Sequence, residues 1–129
     1  MKSFSEIETT SKRASRAIGF SWGVSEEIGK CVRLLELFGF SGIKSLNQYY
    51  QRRKKEKFKD LKLIEQNNNF DGEPLCPITL GVSFLDQIKK LETFKSIKFQ
   101  NIAYPILFLA FLSRSSEIIG KKILFKFDN

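Results

Sequence analysis

Apolar residues along the chain recur mostly at helical spacing, and each run is bounded by residues that start or stop helices. Ser3-Phe4-Ser5-Glu6 and Ser5-Glu6-Ile7-Glu8 both fit the Ser-x-x-Glu capping box, which satisfies orphan N–H groups of a first helical turn. Ile7, Ala14 and Ile18 then share a face, with Lys12, Arg13 and Arg16 mostly off it, and Gly19 is placed to end the helix. After the short aromatic link Phe20-Ser21-Trp22-Gly23-Val24, Ser25 is positioned to cap a second helix. Glu26 and Glu27 then fall in its first turn, where the macrodipole favours acids. Ile28, Cys31, Val32, Leu35 and Phe38 form its apolar stripe, Leu34 widens it, and Gly39 is the stop. The two stretches predict a helical hairpin.

A turn over Phe40-Ser41-Gly42-Ile43-Lys44-Ser45 leads to a third helix, expected to start near Ser45 and to run through Tyr49 and Tyr50 into a basic stretch. Residues 66–74, with Gln66-Asn67-Asn68-Asn69 and Asp71-Gly72-Glu73-Pro74, read as a linker. Beyond it, Leu80, Phe84, Ile88 and Leu91 have the spacing of a helix over 79–91. Ile97-Lys98-Phe99 is a short strand candidate. Pro105 suits the first turn of a helix over 105–119 that Gly120 stops. Ile123, Phe125 and Phe127 alternate as in a half-buried strand, so two strands flanking one helix are available to pair. The expected fold class is α+β, mainly helical, with about five helices and a minor two-stranded β element. It is expected as a single domain, 1–129, with a helical half 1–65, the linker 66–74 and a second half 75–129.

Composition narrows the chemistry. The 129 residues include 22 Lys+Arg against 14 Asp+Glu, a net charge of +8, and no histidine. Without histidine there is no imidazole acid or base, no Ser-His-Asp or Cys-His nucleophile and no histidine metal ligand. Cys31 and Cys76 have no paired spacing and cannot complete a tetrahedral zinc site by themselves. They read as buried, reduced thiols. Residues 1–19 lack the continuous apolar core of an export signal. The most apolar run, 102–112, has 11 residues where a spanning helix needs about 20. These features imply a cytoplasmic protein that does not enter the membrane.

Two stretches carry candidate function. Residues 52–62 hold Arg52, Arg53, Lys54, Lys55, Lys57, Lys59 and Lys62 against Glu56 and Asp60, a local charge of +5. Such a run suits a phosphate backbone or an anionic surface, and Tyr49 and Tyr50 before it are candidate stacking residues. The bland alternative is a solvated helix face in a lysine-rich chain, since 16 Lys stand beside only 6 Arg. The second stretch is Trp22, Gly23, Glu26 and Glu27. An indole beside two carboxylates fits one wall of a ligand pocket, and also fits a hydrophobic staple with dipole-favoured acids. No catalytic residue, metal site, cofactor or glycine-rich phosphate loop is indicated.

Phe4-Ser5-Glu6-Ile7-Glu8, then Gly19-Phe20-Ser21-Trp22-Gly23-Val24-Ser25-Glu26-Glu27-Ile28-Gly29, resemble the opening of an uncharacterised bacterial family known only as a domain of unknown function. Leu75-Cys76-Pro77-Ile78-Thr79-Leu80-Gly81 and Ala103-Tyr104-Pro105-Ile106-Leu107 resemble it too. This resemblance implies no activity. Residues 1–55 are also similar, through Gly42-Ile43-Lys44-Ser45-Leu46-Asn47 and Tyr50-Gln51-Arg52-Arg53, to the N-terminal helical region of the non-Rossmann malate/L-lactate/ureidoglycolate dehydrogenase family. That family reads Gly-Ile-Asp-Ser-His-Gly there. With Lys44, Leu46 and Asn47 in place of Asp, His and Gly, the catalytic imidazole is absent, and the resemblance implies a helical module without that chemistry.

The expected function is a non-enzymatic accessory or interaction domain that binds a larger bacterial protein, such as a metabolic one, or self-associates. Thirteen Phe, one Trp and three Tyr are many to bury in a chain of this length. The alternatives are nucleic-acid binding through 52–62 and a small ligand-binding or enzymatic domain at the Trp22–Glu27 turn.

Overall fold

A computed structural model of the chain describes residues 3–68 and 72–126. Six helices and one small parallel sheet make it mainly helical α+β. Its contacts gather in two compact units, Met1–Lys57 and Phe58–Asn129. The division falls ahead of the segment 66–74 that the sequence marks as a linker.

The first unit holds α1 (Phe4–Ile18), α2 (Trp22–Leu37) and α3 (Gly42–Arg53). The Ser3 hydroxyl accepts from Glu6 N at 3.2 Å and caps α1. Gly19, in the left-handed region at φ 115°, closes it with its N–H on Arg16 O. The second helix starts earlier than its sequence suggests. Ser21, not Ser25, is the cap, with its hydroxyl accepting from Val24 N at 3.2 Å. Ser25 is buried inside the helix, and Glu26 and Glu27 lie beyond the first turn, so the macrodipole does not explain them. The third helix also starts early, at Gly42 rather than Ser45. Ser41 gives no side-chain cap, and Glu36 of α2 supplies the acceptor instead, with Ile43 N donating to its Oε1 at 2.9 Å.

α1 and α2 lie antiparallel, tied by Arg33 to Glu8 at 3.4 Å and by Lys12 to Glu26 at 3.2 Å. Small buried residues line their seam: Ser11 and Ser15 on one side, Ser25 and Gly29 on the other. A Cβ on Gly29 would sit 2.8 Å from Glu8 O. Tyr49 and Tyr50, candidates for stacking a ligand, are instead buried in this unit's core. The Tyr50 hydroxyl hydrogen-bonds Ser15 Oγ at 2.5 Å, which satisfies both buried groups.

The second unit holds β1 (Asn67–Asn68), α4 (Pro77–Asp86), α5 (Ile88–Leu91), β2 (Lys98–Phe99) and α6 (Pro105–Ile119). The helix expected over 79–91 is two helices, broken at Gln87. The Gln87 side chain turns aside to accept from Ile64 N and donate to Lys62 O. The strand at 98–99 forms, but its partner is not the chain's last residues. It pairs in parallel with Asn67–Asn68, inside the expected linker. The buried Asn68 amide donates to Glu65 O and Lys98 O and accepts from Glu65 N, fixing the segment by side-chain bonds that no β propensity reveals. Residues 122–126 have no regular structure, and Phe127 lies outside the described residues. Ile123 and Phe125 still pack against the core. Leu75 makes parallel bridges to Lys59 on one side and Ile102 on the other. Phe108 is the hub, with Phe84, Phe99 and Phe125 edge-on to its ring at 5.6 to 6.0 Å.

The seam at Gly29 gives a direct test. Gly29→Ala should destabilise the protein by about 1–3 kcal/mol, because a backbone carbonyl must move. Gly23→Ala, with nothing within 4 Å of the added methyl, should be neutral or gain up to about 1 kcal/mol. Urea denaturation of both variants measures the difference.

Candidate functional site: two unlike ends of the first helical unit

Because Ser21 caps α2, Trp22 is its first helical residue and projects outward, 61% exposed. The Arg16 guanidinium lies 4.4 Å from its ring centroid and Lys12 Nζ lies 5.6 Å away, both cation–π contacts. Arg16 also donates to Phe20 O at 2.9 Å, which holds its side chain toward the link between the helices. α3 returns to this same end. Arg53 sits 4.9 Å from the Phe20 ring and 5.7 Å from that of Tyr49, and donates to the Tyr49 hydroxyl at 3.1 Å. Thus the last two turns of α1 lie against Trp22, and the end of α3 packs on Phe20, two residues before it.

The predicted site residues are only partly brought together. Gly23 and Glu26 are exposed and Glu27 is half-buried. Trp22 and Glu26 are one turn apart on one face, while Glu27 points about 100° away from Glu26. Glu26 is engaged by Lys12, so the partners of Trp22 are cations rather than paired carboxylates. Among the described residues no group of three His, Cys, Asp or Glu is placed to hold a metal ion.

The basic run is split by the division between units. Arg52, Arg53, Lys54, Lys55 and Lys57 belong to the first unit, Lys59 and Lys62 to the second. Arg52 pairs with Glu56 one turn on, and that hydrogen bond holds the Glu56 carboxyl below its ordinary value. Lys54, Lys55 and Lys57 follow the end of α3 and are exposed. Lys59 is committed through its backbone, with its N–H on Pro74 O and its carbonyl accepting from Cys76 N. What sequence reading missed is that Lys12, Arg13 and Arg16 join the first group. Their place off the apolar face of α1 was visible; their meeting with α3 depended on tertiary packing.

The other end of the unit is different. The Arg33–Glu8 pair sets the start of α1 beside the end of α2. Phe4, Leu37, Phe38 and Phe40 are 42%, 58%, 67% and 44% exposed there. Leu37 ends α2, and Phe38 and Phe40 belong to the turn into α3. In the second unit, an open polar depression of about 540 Å³ is lined by Gln66, Asn67, Thr93, Lys95, Ser96 and Lys98.

A family model described as protein of unknown function (DUF3726) matches residues 2–76. The chain belongs to this family. The DUF3726 match takes in α1 to α3 and β1 and ends at Cys76, which precedes α4. It therefore covers both ends of the helical unit. The dehydrogenase resemblance gains no such support. No curated protein matches the chain, and no solved structure does. Among the described residues, no helix is long and apolar enough to cross a membrane.

Both cysteines of this DUF3726 member are free and buried, as expected. Burial pushes the Cys31 thiol from 9.0 up to about 12. The folded state then holds this proton more tightly than the unfolded chain. The associated stability is full below about pH 9 and is lost as pH rises toward 12. The urea midpoint should therefore fall above about pH 9, and less steeply in Cys31→Ala. Cys31 should also resist a thiol reagent in the native protein and react with it in urea.

Proposed function

We propose that the chain is a non-enzymatic interaction domain that docks on a larger protein through the apolar end of its first helical unit. The observation that carries this reading is the gathering of Phe4, Leu37, Phe38 and Phe40 in water at one end of the α1–α2 pair. Burying one such side chain is worth about 1.5–3 kcal/mol. Three of the four flank one tight turn, so a partner can cover them together. A contiguous exposed apolar patch is a mark of an association surface. The absence of histidine from the sequence removes imidazole, the commonest general acid and base.

A larger partner fits better than a second copy. Phe4, Leu37, Phe38 and Phe40 protrude at this end, and a second copy would offer the same protruding end rather than a pocket to receive them. The partner expected is a bacterial protein, with an apolar pocket for the Phe38 ring at the centre of the contact.

A photoreactive amino acid at position 38, with one at Ala17 in the exposed last turn of α1 at the opposite end as control, tests this in the native host. The expected result is a discrete heterologous adduct from position 38 that Leu37→Ser and Phe40→Ser reduce at least tenfold. An adduct only with a second copy would make the surface a self-association site. No adduct at all, with the protein monomeric in light scattering, would remove the reading.

A further inference from the structure

We infer that the opposite, basic end of the first unit is a binding surface for single-stranded nucleic acid, with a base stacked on Trp22 and phosphates held by Arg13, Lys54, Lys55 and Lys57. Around this end, Lys12, Arg13, Arg16, Arg52, Arg53, Lys54, Lys55 and Lys57 stand against Glu26, Glu27 and Glu56, a net of +5. Nearly the whole charge of the unit, +6 over residues 1–57, is thus collected at one end. Two helices distant in sequence supply it, and the fixed points that bring them together are Tyr50 on Ser15 and Arg53 over Phe20. A surplus of lysine from base composition alone would be spread over the surface of the unit. Here the other end is apolar and carries few cations.

These cations divide by what they already do. Arg52 is paired with Glu56, Lys12 with Glu26, and Arg53 is stacked and hydrogen-bonded within the fold. Arg13, Lys54, Lys55 and Lys57 are exposed and have no ion pair among the described residues. They are the ones able to exchange small counterions for phosphates.

Trp22 selects among polyanions. Its indole remains 61% exposed with Arg16 over the ring, so a flat ring system can lie on the surface left open. Aromatic platforms beside cationic tracks are how single strands are held without sequence preference, since every base has a π-face. A duplex keeps its bases stacked and offers none to the indole. An anionic membrane would need apolar side chains among the cations, and Leu37, Phe38 and Phe40 lie at the far end of the bundle.

Trp22 is the sole tryptophan of the chain, so its fluorescence reports the site alone. The experiment titrates the full chain with an end-labelled oligothymidylate of about twelve nucleotides, following Trp22 emission and label anisotropy together. Quenching of Trp22 in step with anisotropy is expected. With about four phosphate contacts, affinity should fall roughly 50-fold between about 50 and 200 mM salt. Lys54→Gln with Lys55→Gln should flatten the log–log salt slope by about 1.4. Lys44→Gln, at the far end of α3, should leave it unchanged. Trp22→Ala, read by anisotropy and checked for folding by circular dichroism, should weaken binding about tenfold. No binding would overturn the inference, as would binding that Trp22→Ala leaves intact. Equal competition by polyglutamate or by phosphatidylserine vesicles would overturn it too, because the site would then be a generic or different anion surface.

Discussion

The organisation of the first unit depends on how closely α1 and α2 approach at Gly29. Any side chain there would press on the Glu8 carbonyl, and Ser11, Ser15 and Ser25 place small side chains along the rest of the seam. A thin seam brings two backbones together but leaves little room for large apolar groups between them. The apolar bulk must then go elsewhere. Part goes under α3, where Leu46, Tyr49 and Tyr50 are buried, and part is left at the end where α2 turns into α3. The exposed Leu37, Phe38 and Phe40 are, on this view, a consequence of a seam built from serine and glycine.

The second unit solves its packing the opposite way. Its core packs leucines and isoleucines around an aromatic hub, with Phe108 ringed edge-on by three phenylalanines. Here too one glycine permits the contact: a Cβ on Gly81 of α4 would fall 2.2 Å from the Phe111 ring of α6. Most phenylalanines of this unit that the structure describes are thus buried or packed against its core. Counting aromatics over the whole chain concealed this contrast, because the exposed Phe and Trp rings belong to the first unit while the absorbed phenylalanines belong to the second.

What the sequence made legible was what local chemistry decides. Ser3, Gly19, Pro105 and Gly120 bound their helices as capping rules require, and the strand at Lys98 and Phe99 forms. The early start of α2 was hidden because Trp22-Gly23 reads as a link, whereas a glycine in a first helical turn is tolerable when Ser21 caps it. The start of α3 was hidden because its acceptor, Glu36, lies on another helix. β1 was hidden for a similar reason: two asparagines have no strand tendency, and a side-chain amide holds them in register. Of the site residues, the basic run and Trp22 were visible separately. That they share one end, with Lys12 and Arg16 over the indole, follows only from the return of α3.

Helix electrostatics account for part of the basic end and leave a remainder. Arg52 and Arg53 lie in the last turn of α3 and Arg16 in that of α1, where cations offset the C-terminal partial charge. Each also has a contact of its own, with Glu56, Tyr49 or Trp22. Lys54, Lys55 and Lys57 lie past the helix, where the macrodipole effect fades, and three ammonium groups within four residues repel one another. That repulsion makes no contribution to the fold and is relieved by an anion. The apolar end has the matching property, since exposed phenylalanine is relieved by an apolar partner. The same antiparallel packing that forms the bundle therefore separates two unsatisfied surfaces of different chemistry by the length of a helix, about 20 Å for fifteen residues. Ligands of the two ends would not compete for the same atoms, so the bundle is suited to hold a protein at one end and a polyanion at the other.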